Sequence, residues 1–509
     1  MAAFFIASFL RLYELSNRPM HVDEAVHAVK FGELLEHNNY KYDPVEYHGP
    51  ALNYLTLLPA RISGSETFRD ISETTLRVVP AACGILMLLF FLFLKKELND
   101  RFFIFMVLLT SFSSLLVFYD RYYIQESLLT SFTFILIISL HKFSVTGKSI
   151  WIVLSGISAG LMFASKETSI ISFFCIAAAV LTVKYSTGGY PKKSGSKIPH
   201  ILIFISVFIT VSYLFFSSFF SNPDGAADSL RAIGNYLTKA GHFPDHNQPW
   251  YYYFSLIFWG KIDAFYFTEL FISIFFIFGA SALILKWKNE KGENVFVKTI
   301  LIFTILTAVI YSAIPYKTPW SMMTFWSGII IVSAYGVSAA IDKSRGSLRN
   351  FVLLTAGIGM FHQVWQSYNI SFNYSFHPQN PFVYSQSAPD VIRISEKLKE
   401  ISSVLPEKED KLINITADKN DYWPLPWYLR GLENVAWNEK LSPDVYRYPV
   451  ILTTPRLEAE LIEKLYSQTP AGGVNLYVPL FERYMELRPG VEIRGYIRKD
   501  ISDKFDRTR

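Results

Sequence analysis

The sequence predicts a mainly α-helical, polytopic membrane protein of about eleven transmembrane helices, with an extracytoplasmic C-terminal α/β domain. Of its 509 residues, 51% are hydrophobic and only 18% are charged, whereas soluble proteins carry about 25% charged residues. Apolar runs of roughly 16 to 22 residues recur up to residue 368, and a helix needs about 20 residues to cross the hydrocarbon core. Because the tail lacks such runs, we divide the chain into residues 1–368 and 369–509.

The first apolar run, residues 1–10, predicts a membrane span. No basic stretch precedes it and no small-residue cleavage site follows it, which argues against a removed signal peptide. The fifth and sixth spans are short, and a single hairpin dipping into the membrane is an alternative for them. The two cysteines lie inside apolar runs, so no disulfide or cysteine metal site is predicted. The predicted spans are 1–15, 76–94, 102–119, 127–141, 149–164, 169–184, 200–221, 264–285, 297–314, 321–341 and 351–367.

Loop charge predicts the orientation in the cell membrane. Lys and Arg are retained in cytoplasmic loops, and alternate loops hold most of them. This puts the N-terminus in the cytoplasm and the C-terminal domain outside. The predicted cytoplasmic loops are those near residues 95–101, 142–148, 184–197, 286–298 and 343–349; the outward ones are 16–75, 120–126, 165–168, 222–263, 315–320 and the tail.

The long outward loop, 16–75, contains two adjacent carboxylates, Asp23 and Glu24. Apolar spacing predicts helices over 22–35 and 51–58 that lie on the membrane surface. One interpretation is that the two acids only begin the first helix, where negative charge favours the helix dipole. The other is a catalytic site at the membrane face. Between the helices, residues 42–50 contain His48, which is either a ligand contact or part of a solvated turn.

The short outward loops each carry one basic residue, although the positive-inside tendency disfavours this. These residues are Arg121, Lys166 and Lys317. Each is either a snorkelling anchor or a ligand of an anionic group such as a lipid phosphate. Neighbouring candidates for the same site are the aromatic residues Tyr122 and Trp320 and the acids Asp120 and Glu126, which contact a substrate or metal or simply pair with the nearby bases.

Four loop motifs together resemble the GT-C superfamily of membrane glycosyltransferases. They are D-E at 23–24, D-R-Y-Y-I-Q-E at 120–126, S-K-E-T at 165–168 and Y-K-T-P-W at 316–320. Within that superfamily the chain is similar to the dolichyl-phosphate-mannose protein mannosyltransferases and the aminoarabinose transferases. The strings N-P-F-V-Y-S-Q-S-A-P-D at 380–390 and D-Y-W-P-L-P-W-Y-L-R at 421–430 extend a closer likeness to the archaeal-type flippase-activity-associated family.

The resemblance implies an inverting glycosyltransferase with a GT-C-like transmembrane domain. Such an enzyme moves a hexose or pentose from a polyprenyl-phosphate donor, such as a dolichyl-phosphate sugar, to a glycan, lipid or protein acceptor at the outer face. A carboxylate serves as the base, and we choose Asp23, with Glu24 holding the loop, although the two roles are exchangeable. Cationic side chains then stabilise the leaving phosphate. We expect a lipid bilayer as the surrounding partner and no nucleic acid.

Two departures from the resembled families limit what carries over. The W-W-D-Y-G element of oligosaccharyltransferase catalytic subunits is absent, and His48-Gly49 stands where the aminoarabinose transferases have an acid and a lysine. No cofactor is therefore assigned, and a divalent metal stays an open alternative. A second function class, a non-catalytic component of lipid-linked oligosaccharide flipping or a transporter, also stays open, as does an inactive scaffold.

The tail alternates helical and strand-like patterns. We predict helices over 391–404 and 457–465 and strands over 411–416, 449–454 and 474–477. The aromatic residues Tyr422, Trp423, Trp427 and Tyr428 form either the core of this domain or a platform for sugar rings.

Overall fold

The computed structural model of the protein describes residues 2–38, 40–187, 197–239, 247–287, 294–403, 412–467 and 475–508. It divides into two compact units. The first comprises Met1–Leu15, Glu33–Glu66 and Ser72–Tyr384, and the second comprises Ser16–Gly32, Thr67–Ile71 and Ser385–Arg509.

The chain up to residue 368 is predominantly helical, as its apolar runs predict. The helices are α1 (Ala2–Leu12), α2 (Val22–His37), α3 (Ala51–Ile62), α4 (Glu73–Phe91), α5 (Asp100–Phe112), α6 (Ser114–Tyr119), α7 (Glu126–Thr146), α8 (Ser149–Ser165), α9 (Ser169–Thr187), α10 (Lys197–Phe216), α11 (Gly225–Lys239), α12 (Tyr252–Phe258), α13 (Leu270–Leu285), α14 (Val295–Ala313), α15 (Met323–Lys343) and α16 (Gly346–Tyr368).

Six segments of the described chain are long and apolar enough to cross a membrane. Three further apolar helices, Ala3–Leu12, Ser149–Ser165 and Leu270–Leu285, are shorter. The membrane-protein class is thus confirmed, and the count of eleven spans stays a prediction. The six segments are Glu73–Leu94, Glu126–Thr146, Ser169–Thr187, Ile198–Phe216, Val295–Ala313 and Pro319–Lys343.

Several predicted spans differ from the structure in their extent, and three of them show the reason. The run 102–119 is broken between α5 and α6 by the extended backbone of Ser113, whose hydroxyl accepts a hydrogen bond from the Trp326 indole at 3.2 Å. The run 264–285 is helical only from Leu270, because β1 (Gly260–Ile262) and β2 (Phe265–Phe267) pair as an antiparallel hairpin. The run 200–221 ends at Phe216, before three residues with positive φ at 218–220.

The two helices predicted in the first loop are present as α2 and α3. Helix α3 begins directly after Pro50. The residue before a proline disfavours helical backbone, so the helix does not extend back to Gly49. Gly49 lies against the end of α8: a Cβ at this position would be 2.2 Å from the carbonyl oxygen of Ala164. This close backbone approach fixes the segment around residue 48 beside the turn that joins α8 to α9.

The second unit contains a five-stranded mixed sheet, so the predicted C-terminal sheet region is present. Strand β3 (Ile413–Thr416) pairs parallel with β4 (Val435–Asn438) and β5 (Val450–Thr453), and β9 (Arg494–Arg498) pairs antiparallel with β5 and β6 (Tyr477–Pro479). Ile451 of β5 packs with Leu461 and Leu465 of helix α19 (Pro455–Tyr466) in a buried apolar cluster. The elements are α17 (Asp390–Ser402), β3 (Ile413–Thr416), α18 (Leu425–Tyr428), β4 (Val435–Asn438), β5 (Val450–Thr453), α19 (Pro455–Tyr466), β6 (Tyr477–Pro479), β7 (Glu486–Arg488), β8 (Val491–Glu492), β9 (Arg494–Arg498) and α20 (Lys499–Thr508).

The aromatic run of the tail is divided between core and surface. Trp427 is fully buried and Tyr428 nearly so, whereas Tyr422 and Trp423 are only half-buried. Predicted strand residue 411 and residues 474 and 404 at the ends of predicted elements lie outside the described residues.

Candidate functional site

The two adjacent acids, Asp23 and Glu24, have different surroundings within the second unit. Both lie in the first turn of α2, where negative charge is stabilised by the helix dipole. Glu24 is fully buried, and its carboxylate accepts hydrogen bonds from the Arg18 guanidinium at 3.0 Å and from the backbone N–H of His21 at 2.9 Å. The side chain of Asp23 is 47% exposed and lies 4.0 Å from Nδ1 of His21. Asp23 is therefore the more accessible acid.

Arg121 connects the loop before α7 to the end of α1, both in the first unit. Its guanidinium donates hydrogen bonds to the backbone carbonyls of Leu10 at 3.0 Å, Tyr13 at 2.6 Å and Glu14 at 3.0 Å. It also lies 4.3 Å from the ring centroid of Phe372. The last carbonyls of a helix lack donors within the helix, so Arg121 supplies them. Carbonyl oxygens are neutral, and these bonds leave its formal charge in place.

Asp120 forms a buried ion pair with Arg11 of α1. The Arg11 Nε lies 2.8 Å from the Asp120 carboxylate, and both side chains are almost completely buried. Gly84, near the middle of α4, makes room for this pair, since a Cβ there would be 2.2 Å from Asp120 Oδ2. We call Arg11, Asp120 and Arg121 the Arg121 cluster. The predicted role of Asp120 as an additional acid or metal contact stays a prediction.

Lys166 and Glu126 form an ion pair with each other. Lys166 follows the last residue of α8, Glu126 begins α7, and both side chains are buried. The lysine therefore has a carboxylate neighbour within the protein, as the pairing alternative for Glu126 predicts.

His48, Glu167 and Tyr42, which we call the His48 cluster, form a chain of hydrogen bonds. Nδ1 of His48 lies 2.9 Å from Glu167 Oε2, and the Tyr42 hydroxyl donates to Glu167 Oε1 at 3.1 Å. The His48 side chain is 36% exposed, the Glu167 side chain 10%, and Tyr42 is buried. Burial raises the pKa of the Glu167 carboxyl, but the charges of His48 and Lys166 and the His48 hydrogen bond together hold that pKa below its usual value. Glu167 is thus an ionised acceptor.

Lys317 lies in the segment before α15. Its ammonium group donates hydrogen bonds to the carbonyl oxygens of Gln248, at 3.0 Å, and Ile314. Burial lowers the pKa of this lysine. Because its acceptors are neutral carbonyls, these bonds also leave its formal charge in place when it is protonated.

The two aromatic candidates pack within the first unit. Trp320 contacts Tyr119 and Tyr384 edge-on, with ring centroids 6.0 and 5.6 Å apart. Tyr122 is buried against Phe118 and Tyr119. Both therefore contribute to packing, and their predicted contacts with a substrate stay predictions.

Within the residues that the structure describes, no group of three or more His, Cys, Asp or Glu side chains is arranged to hold a metal ion. We therefore derive no step through a metal. A cavity of about 520 Å³ is lined by parts of residues 97–102, 141–145, 282–286, 294–297 and 335–343, and it includes none of the predicted site residues.

Three charged residues with side-chain partners inside the protein, Arg11, Glu167 and Glu269, were not predicted as site residues. Glu269 is fully buried and accepts hydrogen bonds from the side-chain amides of Gln363 at 2.7 Å and Gln366 at 3.1 Å. Arg11 and Glu269 each interrupt a predicted apolar run, which is a signal of a functional or paired group.

Comparison with known families gives one match to part of the chain. The sequence model of the family described as dolichyl-phosphate-mannose-protein mannosyltransferase matches residues 47–216. A comparison with curated protein sequences gives no significant match.

Solved structures match over almost the whole chain. ArnT from Cupriavidus metallidurans, solved in the apo state and bound to undecaprenyl phosphate, is 10% identical with a TM-score of 0.64, covering 97% of both chains. AglB from Archaeoglobus fulgidus, an archaeal oligosaccharyltransferase solved with an inhibitory peptide and a dolichol-phosphate, is 11% identical with a TM-score of 0.55, covering 91% of this chain and 70% of AglB. The arabinofuranosyltransferase AftD from Mycobacteria is 10% identical with a TM-score of 0.52, covering 97% of this chain and 39% of AftD. The protein thus has the fold of the GT-C glycosyltransferases.

Proposed function

We propose that the protein is an inverting glycosyltransferase that moves a sugar from a polyprenyl-phosphate donor to an acceptor at the outer membrane face. In this proposal residues 1–368 form the transmembrane transferase domain, and residues 369–509 form an extracytoplasmic domain. The observation that carries the proposal is the fold match to ArnT over 97% of both chains, because ArnT was also solved with undecaprenyl phosphate bound. The family match at residues 47–216 adds support, since it contains His48, Arg121 and Lys166.

The chemistry that the proposal requires is limited. The oxygen of an acceptor hydroxyl attacks the anomeric carbon opposite the phosphate, and the bond between that carbon and the phosphate oxygen breaks. The bonding electrons leave with the phosphate, and the hydroxyl proton goes to a base. Phosphate is stable as an anion, so no strong general acid is needed. Asp23 is our choice of base because its carboxylate is 47% exposed whereas Glu24 is buried against Arg18.

Positive charge in the first unit would stabilise the departing phosphate. Arg121 and Lys317 donate hydrogen bonds to neutral carbonyl oxygens. Because these acceptors carry no negative charge, both side chains contribute a positive electrostatic field. His48 is the candidate for direct contact, because more than a third of its side chain is exposed. Fixed charges of this kind act on the transition state without reorganisation.

A second candidate function, a role in flipping or transport without chemistry, is favoured by one observation. Asp120 and Arg11 form a buried ion pair against Gly84, near the middle of a predicted span, and paired charges at membrane depth are common in transporters. Arg11 and Asp120 pair with each other inside the protein, however, and we rank the flipping or transport function second.

Membranes that contain the protein, incubated with radiolabelled polyprenyl-phosphate hexoses and pentoses, test the proposal. We expect release of free polyprenyl phosphate in step with labelling of an acceptor, with none in membranes lacking the protein. Reconstituted vesicles test the alternative: labelled donor that crosses the bilayer unchanged, with no release of sugar, would overturn the transferase proposal. A reporter active only in the cytoplasm, fused to the C-terminus, should give no signal.

A further inference from the structure

We propose that the cavity of about 520 Å³ in the first unit, which we call the Lys343 cavity, binds an anionic phospholipid from the cytoplasmic leaflet. Lys343 contacts the phosphate of this lipid, and the hydrocarbon chains cover the apolar wall beside it. The inference does not rest on the proposed function, because none of the residues assigned to the transferase site lines this cavity.

The Lys343 cavity lies where the ends of five helices meet at the predicted cytoplasmic face. Its lining comes from α5, α7, α13, α14 and α15 and from residues beside their ends. Helix α7 begins at Glu126, which pairs with Lys166, and carries the lining residue His141 near its other end. The rise of the helix separates those two positions by about 22 Å. The cavity is therefore remote from the predicted outward loops, on the side where the membrane surface is rich in anionic lipids.

The acids that line the cavity have basic partners. The Glu97 carboxylate accepts a hydrogen bond from Lys142, and its Oε2 lies 2.9 Å from Nε2 of His141. The Asp342 carboxylate forms an ion pair with Arg101. Both negative charges are thus compensated within the protein, and neither acid excludes an anionic ligand from the cavity.

Lys343 adds a positive charge to this lining. It is the last residue of α15 and is exposed, and among the residues that the structure describes it forms no ion pair. Its ammonium group lies 5.7 Å from the ring centroid of Phe278 in α13, and Phe278 is 38% exposed. Exposed apolar side chains of a predicted span face lipid, so Lys343 lies at the level where hydrocarbon gives way to headgroups.

The position of Lys343 beside α13 is fixed by a close approach of two helix backbones. A Cβ at Gly279 of α13 would be 2.4 Å from the carbonyl oxygen of Val332, and a Cβ at Gly336 of α15 would be 2.0 Å from that of Phe275. Helices α13 and α15 therefore pack without side chains between them at this point. The ammonium group at the end of α15 is held next to the lipid-facing surface of α13.

The chemistry of the cavity fits an amphipathic anion. Phe102 of α5 and Val295 and Phe296 of α14 line it together with Lys343. A phospholipid satisfies both kinds of surface, whereas a soluble phosphate ester leaves the apolar wall exposed to water. The volume falls within the roughly 300 to 1,000 Å³ of small-molecule pockets. Basic pockets between membrane helices on the cytoplasmic side bind the headgroups of anionic lipids, and a lysine that only anchored α15 at the interface would need no cavity.

Thermal unfolding of the full chain in detergent, with added lipid, tests the inference. A ligand that binds only the folded state raises the melting temperature in proportion to its occupancy. We expect phosphatidylglycerol to raise it, phosphatidylcholine with the same chains to raise it less, and glycerol 3-phosphate to leave it unchanged. Lys343→Gln should need about 10-fold more phosphatidylglycerol for the same rise, because one charge-assisted hydrogen bond is lost. Equal responses of Lys343→Gln and the unchanged protein would overturn the inference.

A matched control and a second variant sharpen this test. Lys148→Gln removes an exposed lysine on the same predicted face, outside the cavity lining, and should respond like the unchanged protein. Ala339→Phe adds a ring to a lining residue without changing any charge, and it should also weaken the response. Native mass spectrometry should find phosphatidylglycerol retained by the unchanged protein and by Lys148→Gln and reduced in the other two variants. If Ala339→Phe folds poorly, the exposed Lys343→Gln still decides the question.

The remaining outcomes identify other ligands. Protection by glycerol 3-phosphate equal to that by phosphatidylglycerol would assign the cavity to a soluble phosphate ester and overturn the lipid. Equal protection by phosphatidylcholine would show that no net negative charge is recognised. A loss in Lys148→Gln as large as that in Lys343→Gln would show attraction to the whole basic face, and either of these results would also overturn the inference.

Discussion

The Arg121 cluster and the His48 cluster both combine basic and acidic side chains of the first unit, and they differ in exposure. In the first cluster Arg11 pairs with Asp120, and in the second His48 contacts Glu167. In the Arg121 cluster, the Arg11 side chain is fully buried and the Asp120 side chain 3% exposed. In the His48 cluster, the basic side chain is 36% exposed. The Arg11–Asp120 pair of the first cluster is buried, whereas the histidine of the second cluster is partly exposed.

The difference shows that a basic residue in a short loop can have a structural contact in addition to the charge that we propose acts on the phosphate. Arg121 bonds to the carbonyls that end α1, because helix ends need donors. His48 lies 2.9 Å from the Glu167 carboxylate and its side chain is 36% exposed. The partners and the exposure of a charged side chain, rather than its residue type, indicate whether it has a structural or a binding role.

The adjacent pair Asp23 and Glu24 shows the same contrast and carries the largest expected effect. Asp23→Asn keeps the shape of the side chain but removes the proton acceptor, so the rate of transfer should fall by about 10² to 10⁴. Glu24→Gln should instead lower the folded yield, because Arg18 loses its charged partner. Labelled donor and equal amounts of protein provide the measurement. A wild-type rate in Asp23→Asn would move the base to another acid.

Breaking the Arg11–Asp120 ion pair should lower the free energy of unfolding. Arg11→Ala leaves the Asp120 carboxylate buried without its partner, and such changes cost about 3 to 5 kcal/mol. Arg101→Ala is the control, because the pair of Arg101 with Asp342 is 44% and 42% exposed and exposed pairs contribute about 0 to 1 kcal/mol. Thermal unfolding in detergent measures both. Equal losses would show that the two pairs are energetically alike.

A substitution of Gly49 should displace the His48 cluster without changing its charges. Gly49→Ala forces the segment away from Ala164, and overpacking of this kind costs about 1 to 3 kcal/mol. We expect a higher KM for the donor because His48 moves with it. Gly357→Ala, which has open space around the added methyl group, should leave the KM unchanged and should not lower stability, because alanine is the better helix former. An unchanged KM in Gly49→Ala would separate the backbone contact from the position of His48.

The smallest expected effect concerns acid stability. Burial raises the pKa of Glu167, but His48 and Lys166 hold it below its ordinary value of 4.5. Below that ordinary value the unfolded chain binds more protons than the folded one, so this contribution is present above pH 4.5 and is lost as the pH falls through the lower folded pKa. Melting temperatures are measured between about pH 3 and pH 7, which covers the titration of carboxyl groups. Toward acid pH they should therefore fall less in Glu167→Gln than in the unchanged protein. An identical acid dependence would show that another group dominates.

Local patterns in the sequence predicted local elements well. The apolar spacing of 22–35 predicted α2, and alternating patterns in the tail predicted α17, α19, β3 and β5. The break at Ser113 and the hairpin at 260–267 were not predicted, because both occur inside apolar runs whose composition does not distinguish a span from a shorter helix.

The candidate residues could be predicted from the sequence, and their partners could not. Asp120 pairs with Arg11 across 109 positions, and His48 meets Glu167 across 119. Periodicity describes neighbours within a few residues, whereas these contacts depend on how whole helices pack. The two acids at 23–24 were predicted together, but only the ion pair to Arg18 distinguishes them.

The pairing of Arg11 with Asp120 has a consequence for how the chain is made. The last turn of α1 contains a guanidinium whose carboxylate partner is synthesised 109 residues later, and a charged side chain buried without its partner is costly. We therefore expect α1 to enter the bilayer stably only after the loop at Asp120 has emerged from the ribosome. Crosslinking of staged nascent chains should find α1 beside the translocation machinery before that point and beside α4 after it. Early, stable insertion of α1 in the shortest chains would contradict this order of assembly.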